Sequence, residues 1–196
     1  MPQGGRYIKD LVYGANDGII TTFAIVAGVA GADLASSTIV ILGLANLLAD
    51  GFSMAVSNYL GSKSEKDFLK ETYARKEDEI DAVPEEEKSE MVTLLREHGY
   101  NKPDARALAG LIFKNKRFFT DVMMHEEHEI SIHETSSPFT PAALTFFAFV
   151  GAGLIPITPF LLGAPAGDGF GISLLATACA LFVAGALRAV VTKRSL

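Results

Sequence analysis

The sequence predicts an all-α, polytopic membrane protein with four transmembrane helices and a cytosolic insert of three helices. Four segments of the 196-residue chain contain almost no charge, and each reaches the roughly 20 residues that a transmembrane helix requires. They lie at residues 11–32, 38–61, 139–162 and 171–191. A strongly charged stretch separates the second segment from the third, and no part of the chain alternates with the two-residue period of a strand.

The charge distribution divides the chain into three parts. Residues 62–137 hold 12 of the 17 Lys and Arg residues, 18 of the 23 Asp and Glu residues and all four His residues. We expect residues 1–61 to form the first two transmembrane helices, 62–137 a cytosolic helical domain, and 138–196 the last two transmembrane helices. The short loops near Asp33 and Asp168 contain no Lys or Arg, so the positive-inside rule places both termini and the insert in the cytosol.

The first apolar segment carries an acidic residue. Its sequence, DLVYGANDGIITTFAIVAGVAGA, is too long for a signal-peptide core and lacks a cleavage site. Asp17 shares one helical face with Tyr13, Thr21, Ala24 and Gly28, a polar and small-residue stripe that lets another helix approach closely. A charge inside the bilayer costs at least about 2.5 kcal/mol, and such residues usually line an ion or proton pathway. We therefore interpret Asp17 as part of a transport pathway.

The second apolar segment has a polar face of its own. Asn46, Asp50, Ser53, Met54 and Ser57 recur there at intervals of three and four residues. Asp50 and Met54 lie one turn apart, and a thioether beside carboxylate oxygens suits a first-row metal such as Fe²⁺ better than Na⁺ or Mg²⁺. The alternatives are that Asp17 or Asp50 is a near-interface or helix-bridging residue, and that Met54 is an ordinary apolar side chain.

Small residues and prolines predict how the membrane helices pack. Gly14 and Gly18 are four residues apart, a spacing typical of close helix packing. Pro156 and Pro159 are expected to kink or break the end of the third span. The third and fourth spans consist mostly of Phe, Leu, Ala and Gly, so we interpret them as a scaffold for the first two.

The insert is predicted to contain three helices. The first continues from the second span, and Pro84 ends it while opening the second, which stops at Gly99. The third begins near Pro103 and resumes after the KNK stretch at residues 114–116. The sequence thus predicts a helical bundle outside the membrane.

Carboxylate, thioether and imidazole groups give the insert a second candidate metal site. Glu87 and Glu90 project to neighbouring points of one helix, and Glu79 can face them from the helix before. The candidate ligands for Fe²⁺, Mn²⁺, Co²⁺ or Zn²⁺ are Glu79, Glu87, Glu90, Met123, Met124 and Glu127. Metal-binding spacings also relate His125 to His128 and Glu129 to His133, whose roles stay open. For any single acid, a solvated helix face is the alternative.

Composition and motifs argue against several function classes. The net charge of -6 does not favour binding to nucleic acid. The chain lacks a phosphate-binding loop, a nucleophile elbow and a dinucleotide fingerprint, so ATP-driven pumping and enzyme activity are not indicated. The lone Cys179 excludes a disulfide framework within the chain. A di-iron oxidase would need Glu-x-x-His pairs on two helices, whereas three of the four His residues lie in one segment.

Five stretches together resemble the vacuolar iron transporter family, whose members occur in plants, fungi and prokaryotes. They are DLVYGANDGIITTFAIVAGVAGA, LGLANLLADGFSMAVSNYLGSKSE, EIDAVPEEEKSEM, DVMMHEE and SPFTPAALTFFAFVGAGLIPITPFLL. The resemblance implies a homodimer that moves Fe²⁺, and often Mn²⁺ or other divalent metals, out of the cytosol in exchange for protons. It further implies a pathway that uses Asp17 and Met54 between the first two helices of two protomers, and an insert whose Glu and Met ligands gather ions.

Two features depart from the family pattern. Some relatives have Glu three residues before the position of Glu79, where this sequence has Lys76 beside Glu77. Family members usually have a fifth membrane helix, and this sequence contains four spans. We expect the protein in the plasma membrane if it is prokaryotic, and in the vacuolar membrane if it comes from a plant or fungus. A membrane-tethered metal-binding or sensing protein without net transport is the alternative function.

Overall fold

A computed structural model describes residues 7–128 and 137–192, with side chains described for 7–126 and 137–187. All regular elements in these ranges are α-helices, which confirms the predicted all-α class. The helices are α1 (Ile8–Gly31), α2 (Ser36–Ala82), α3 (Pro84–Glu97), α4 (Lys102–Phe113), α5 (Lys116–His128), α6 (Phe139–Leu161) and α7 (Ala166–Thr192).

Four of the helices contain segments that are long and apolar enough to cross a bilayer, namely α1, α2, α6 and α7. Their number and places match the four predicted spans, so the chain is a polytopic membrane protein. The chain falls into two compact units, Met1–Gly61 with Ser137–Leu196, and Ser62–Ser136. We call the first the membrane unit and the second the insert; α2 contributes residues to both.

Glycines allow α1 to pack closely against α6. A Cβ atom added at Gly14 would lie 2.7 Å from the carbonyl oxygen of Thr145, and one added at Gly18 would overlap the backbone of Phe149. The Gly14 and Gly18 pair therefore forms a contact within one chain. Around it lies a buried apolar cluster of Val26, Val29, Ile39, Leu47, Phe149, Ile157 and Phe160.

Helix α6 keeps two prolines in its interior. The sequence predicts a kink or break there; no break occurs, because α6 runs through Pro156 and Pro159 and ends at Leu161. Both prolines are buried, and the Ser173 hydroxyl of α7 donates a hydrogen bond of 2.7 Å to the Pro156 carbonyl oxygen. This bond joins α7 to α6, and proline is tolerated within membrane helices where the surrounding protein and local backbone adjustments satisfy the carbonyl groups that it leaves free.

Local signals in the insert set the helix boundaries. Pro84 opens α3, and Gly99 follows its end with a φ of 96°, a left-handed conformation that favours glycine. The segment predicted as a third helix forms two helices, α4 and α5. The break occurs because the side-chain oxygen of Asn115 accepts a hydrogen bond of 3.1 Å from the Phe118 N–H and starts a new helix.

The insert has its own hydrophobic core. Its buried members are Ile80, Met91, Ala109, Phe119 and Met123, contributed by α2, α3, α4 and α5. The ring of Phe119 also contacts that of Phe113 edge to face, with centroids 5.1 Å apart. Helix α2 contributes Ile80 to this core.

Candidate functional site

The Asp17 side chain is half-buried in the middle of an apolar helix. Among the described residues, its carboxylate has no hydrogen-bond or ion-pair partner. The Thr21 hydroxyl, one turn later, instead donates to the backbone carbonyl oxygen of Asp17 at 2.8 Å. A carboxylate in this position is a high-energy group unless a cation, a proton or water reaches it.

The stripe that contains Asp17 faces away from the core of the chain. Gly14 and Gly18, on the adjoining side of α1, are buried against α6. On the stripe, the Tyr13 side chain is 66% exposed, and a Cβ atom added at Gly28 would meet nothing within 4 Å. The polar and small residues of α1 are therefore available to another helix outside the described chain.

The polar face of α2 shows the same lack of partners within the described residues. Asp50 is half-buried, and its carboxylate forms no hydrogen bond or ion pair there. One turn earlier, the Asn46 side-chain nitrogen is buried without a hydrogen-bond partner. Met54, one turn later, is half-buried and packs beside the apolar cluster that includes Phe149. No hydrogen bond or ion pair joins Asp17 to Asp50 in the described part of the chain.

Asn58 is a polar residue of α2 that was not among the predicted site residues. Its side-chain nitrogen donates hydrogen bonds to a carboxylate oxygen of Asp10 at 3.0 Å and to the Thr145 hydroxyl at 2.7 Å. These bonds join α2 to α1 and α6. The signal was available, because Asp10 begins the first apolar segment and Asn58 closes the second, as expected for antiparallel helices. Unlike Asp17, Asp10 thus has a partner.

In the insert, a lysine lies between two of the predicted metal ligands. The Lys76 ammonium is 3.1 Å and 3.0 Å from the two carboxylate oxygens of Glu87, and 3.6 Å from a carboxylate oxygen of Glu79. Lys76 and Glu87 are each 5% exposed, whereas the Glu79 side chain is 48% exposed. Arg75 lies 3.9 Å from the other oxygen of Glu79. Lys76 and Glu87 therefore form a buried ion pair that includes a charge-assisted hydrogen bond.

The helical period of α2 explains why Lys76 is buried. Thr72, Lys76 and Ile80 are four residues apart and all buried, so Lys76 occupies a core position of the helix. From the sequence alone, Lys76 was visible only as a departure from the family pattern. The sequence contained a signal for its burial, because Leu69, Tyr73 and Ile80 lie on the same helical face as Lys76.

The remaining predicted ligands of the insert occupy different surroundings. Met123 and Met124 are buried, at 0% and 1% exposure, and Met123 belongs to the core of the insert. Glu90 and His125 are exposed. The side chains of Glu127 and His128 and the whole of Glu129 and His133 lie outside the described residues. Within the described part, no three His, Cys, Asp or Glu side chains are grouped closely enough to hold a metal.

Tyr73 joins α2 to α5 in the insert. Its hydroxyl donates a hydrogen bond of 3.0 Å to a carboxylate oxygen of Asp121. Burial, together with this bond and the negative charge of Asp121, raises the pKa of Tyr73 to about 12. The phenol is therefore held neutral, as a hydrogen-bond donor within the bundle.

Comparison with known sequences decides the family. A sequence model of the VIT family matches residues 8–196. The chain belongs to the VIT family. The resemblance seen in the apolar and acidic stretches is thereby confirmed over nearly the whole chain.

Three relatives illustrate the similarity. A vacuolar iron transporter of Toxoplasma gondii (strain ATCC 50861 / VEG) is 39% identical over 188 residues, which cover 91% of this chain and 62% of the relative. One of Plasmodium falciparum (isolate 3D7) is 34% identical over 79% of this chain and 58% of the relative. Vacuolar iron transporter 1 of Arabidopsis thaliana is 32% identical over 92% of this chain and 72% of the relative. The chain thus spans about three fifths of the first two relatives.

Proposed function

We propose that this protein transports divalent metal ions, with Fe²⁺ as the principal substrate, out of the cytosol in exchange for protons. Relatives named vacuolar iron transporter support the class of activity. One observation carries the proposal: the half-buried carboxylate of Asp17 has no partner among the described residues, although it lies in a membrane-spanning helix. A mobile cation is a natural partner for such a group.

The proposed pathway is lined by Asp17, Asp50 and Met54. Two carboxylates supply charge, and the thioether of Met54 favours Fe²⁺ over harder ions such as Mg²⁺. Mn²⁺, Co²⁺ and Zn²⁺ are secondary substrates in this account. Because the carboxylates must be deprotonated to bind metal, protons and metal alternate at the same oxygens, which couples their movements in opposite directions.

The transporting unit in this proposal is a homodimer. The exposed stripe from Tyr13 to Gly28 on α1 has the small residues that allow two helices to approach closely. A two-fold axis along this stripe brings Asp17 of each protomer to one pathway. Gly14 and Gly18 pack against α6 of the same chain, so they do not contribute to this interface.

The insert captures metal on the cytosolic side. Its proposed ligands are the residues derived from the sequence, Glu79, Glu87, Glu90, Met123, Met124 and Glu127. The distribution of Lys and Arg supports a cytosolic insert and cytosolic termini. The protein resides in the bilayer of the plasma membrane in a prokaryote, and of the vacuole in a plant or fungus.

Reconstitution into liposomes tests the function. The purified chain is incorporated into vesicles that contain a pH-sensitive dye, and Fe²⁺ is added outside under anaerobic conditions. We expect Fe²⁺ to accumulate inside, the lumen to become more alkaline, and both signals to depend on an inwardly acidic gradient. Fe²⁺ accumulation that does not depend on the pH gradient would contradict exchange with protons. Fe²⁺ binding without accumulation contradicts transport and favours a membrane-tethered sensor.

A further inference from the structure

The two carboxylate oxygens of Glu87 already face a cation that belongs to the protein. The Lys76 ammonium lies 3.1 Å from one oxygen and 3.0 Å from the other, so it occupies the space in front of the carboxylate. A metal ion bound to both oxygens would occupy that same space at about 2.0–2.6 Å. Lys76 and a divalent ion therefore cannot both engage Glu87 in this way.

The surroundings of Lys76 and Glu87 make their ion pair hard for a metal ion to displace. Lys76 and Glu87 are each 5% exposed, and their charge-assisted hydrogen bond is shielded from water. The same ammonium also lies 3.6 Å from Glu79, and Arg75 adds a second positive charge 3.9 Å from that carboxylate. Two of the predicted ligands in the insert, Glu79 and Glu87, thus already lie beside positively charged side chains before any metal binds.

We propose that Lys76 acts as a built-in cation that competes with divalent metal for Glu87 and Glu79, and so determines the metal affinity of the insert. Metal binds there only by displacing the ammonium, which makes the insert a low-affinity site. This inference rests on the proposed capture role of the insert. It assigns the control of affinity to a residue that is not itself a ligand.

Mn²⁺ titration of the full chain tests the inference, with free Mn²⁺ followed by electron paramagnetic resonance. All variants carry Asp17→Asn to remove the contribution of the proposed membrane site. Lys76→Gln removes the charge, and Lys76→Arg keeps it at the same position. Lys116→Gln removes a lysine of the insert whose partner, Asp81, is not a proposed ligand.

We expect Lys76→Gln to lower the dissociation constant for Mn²⁺ by about tenfold or more, because the ion no longer has to break a charge-assisted hydrogen bond. Lys76→Arg and Lys116→Gln should keep the parent affinity. The gain should vanish in the Lys76→Gln/Glu87→Gln double variant. Equal affinities for Lys76→Gln and Lys76→Arg, or a gain that survives loss of Glu87, would overturn the inference.

A folding control accompanies the titration, since Lys76→Gln leaves the Glu87 charge buried. Any helix content lost in this variant, seen by circular dichroism, should return when Mn²⁺ is added. A variant that stays unfolded in saturating Mn²⁺ rejects the inference. If the unmodified protein transports Fe²⁺ but Lys76→Gln shows no Glu87-dependent gain in Mn²⁺ affinity, the inference about Lys76 is rejected and the proposed transport stands. If Lys76→Gln shows that gain in affinity but the unmodified protein transports no Fe²⁺, only the proposed transport is rejected.

Discussion

Acidic residues in the membrane unit and in the insert meet opposite conditions. In the membrane unit, the carboxylates of Asp17 and Asp50 have no hydrogen-bond or ion-pair partner among the described residues. In the insert, Glu87 is more deeply buried, yet the Lys76 ammonium touches both of its oxygens. Among the described residues, Glu87 of the insert therefore has a counter-charge, whereas Asp17 and Asp50 of the membrane unit have none.

We interpret this difference as one between a structural carboxylate, Glu87, and carboxylates proposed to bind a transported ion, Asp17 and Asp50. A buried ion pair holds a bundle in one arrangement, and removing either partner leaves an uncompensated charge. An acid without a partner contributes nothing comparable to stability, so its presence in an apolar helix needs another reason. We therefore expect mutations of the two kinds of acid to have opposite effects on stability and on transport.

The largest effect on stability is expected from Glu87→Gln. This change leaves the buried ammonium of Lys76 without a counter-charge and should lower the free energy of unfolding of the insert by about 3–5 kcal/mol. Chemical denaturation followed by circular dichroism measures it. The matched control is Glu86→Gln, at an exposed neighbouring position, which should change little.

A double variant separates the charge from the packing. Lys76→Met/Glu87→Met replaces both charges with apolar side chains and should recover most of the stability that Glu87→Gln loses. A double variant as unstable as Glu87→Gln would show that the ion pair does not explain the loss.

A smaller effect is expected from Gly18→Val in the membrane unit. The added side chain overlaps the Phe149 backbone and forces α1 away from α6, which should lower the free energy of unfolding of the membrane unit by about 1–3 kcal/mol. Gly28→Val, on the exposed stripe, meets no atom within 4 Å of its Cβ and should leave the stability of the single chain unchanged. Thermal unfolding in detergent compares the two. Equal melting temperatures would mean that α1 packs through another face.

The smallest effect is expected from Tyr73→Phe, and it depends on pH. The folded-state pKa of about 12 lies above the value of about 10 in an unfolded chain, so the neutral phenol stabilises the insert below pH 10. This contribution is lost as the pH rises from about 10 to about 12. Tyr73→Phe should be less stable than the parent by about 1 kcal/mol below pH 10, and this difference should shrink as the pH rises from about 10 towards 12.

The control for Tyr73 is Tyr100→Phe, because Tyr100 is 46% exposed. Its stability curve should follow that of the parent across the alkaline range. A constant difference between Tyr73→Phe and the parent from pH 8 to pH 12 would contradict a role for ionisation of Tyr73.

Much of the fold followed from patterns within single segments. The four spans were predicted from length and apolarity, and the start of α3 from Pro84, because these features act locally. The same reasoning pointed to Asp17, since a charge inside a long apolar run is visible without any neighbour. The break considered at Pro156 and Pro159 does not occur, and the burial of both prolines is a tertiary feature that the segment alone does not show.

Residues whose role depends on a distant partner were harder to predict. Lys76 lies 11 residues from Glu87 on the other side of the Pro84 turn, so their contact required the packing of α2 against α3. Asn58 is 48 residues from Asp10 and 87 from Thr145. The partner of the Gly14 and Gly18 pair was equally hidden, because a small-residue spacing shows that a helix packs closely and does not show against which helix.

Fe²⁺ uptake by Asp17→Asn proteoliposomes tests the central claim most directly, with Asp33→Asn as the matched control. Asp33 lies between α1 and α2 with a φ of 56°, a conformation that Asn also tolerates. We expect Asp17→Asn to lose Fe²⁺ uptake and the accompanying lumenal pH change while keeping its fold, and Asp33→Asn to retain both signals. Uptake by Asp17→Asn at the rate of the unmodified protein would contradict the assignment of Asp17 to the pathway.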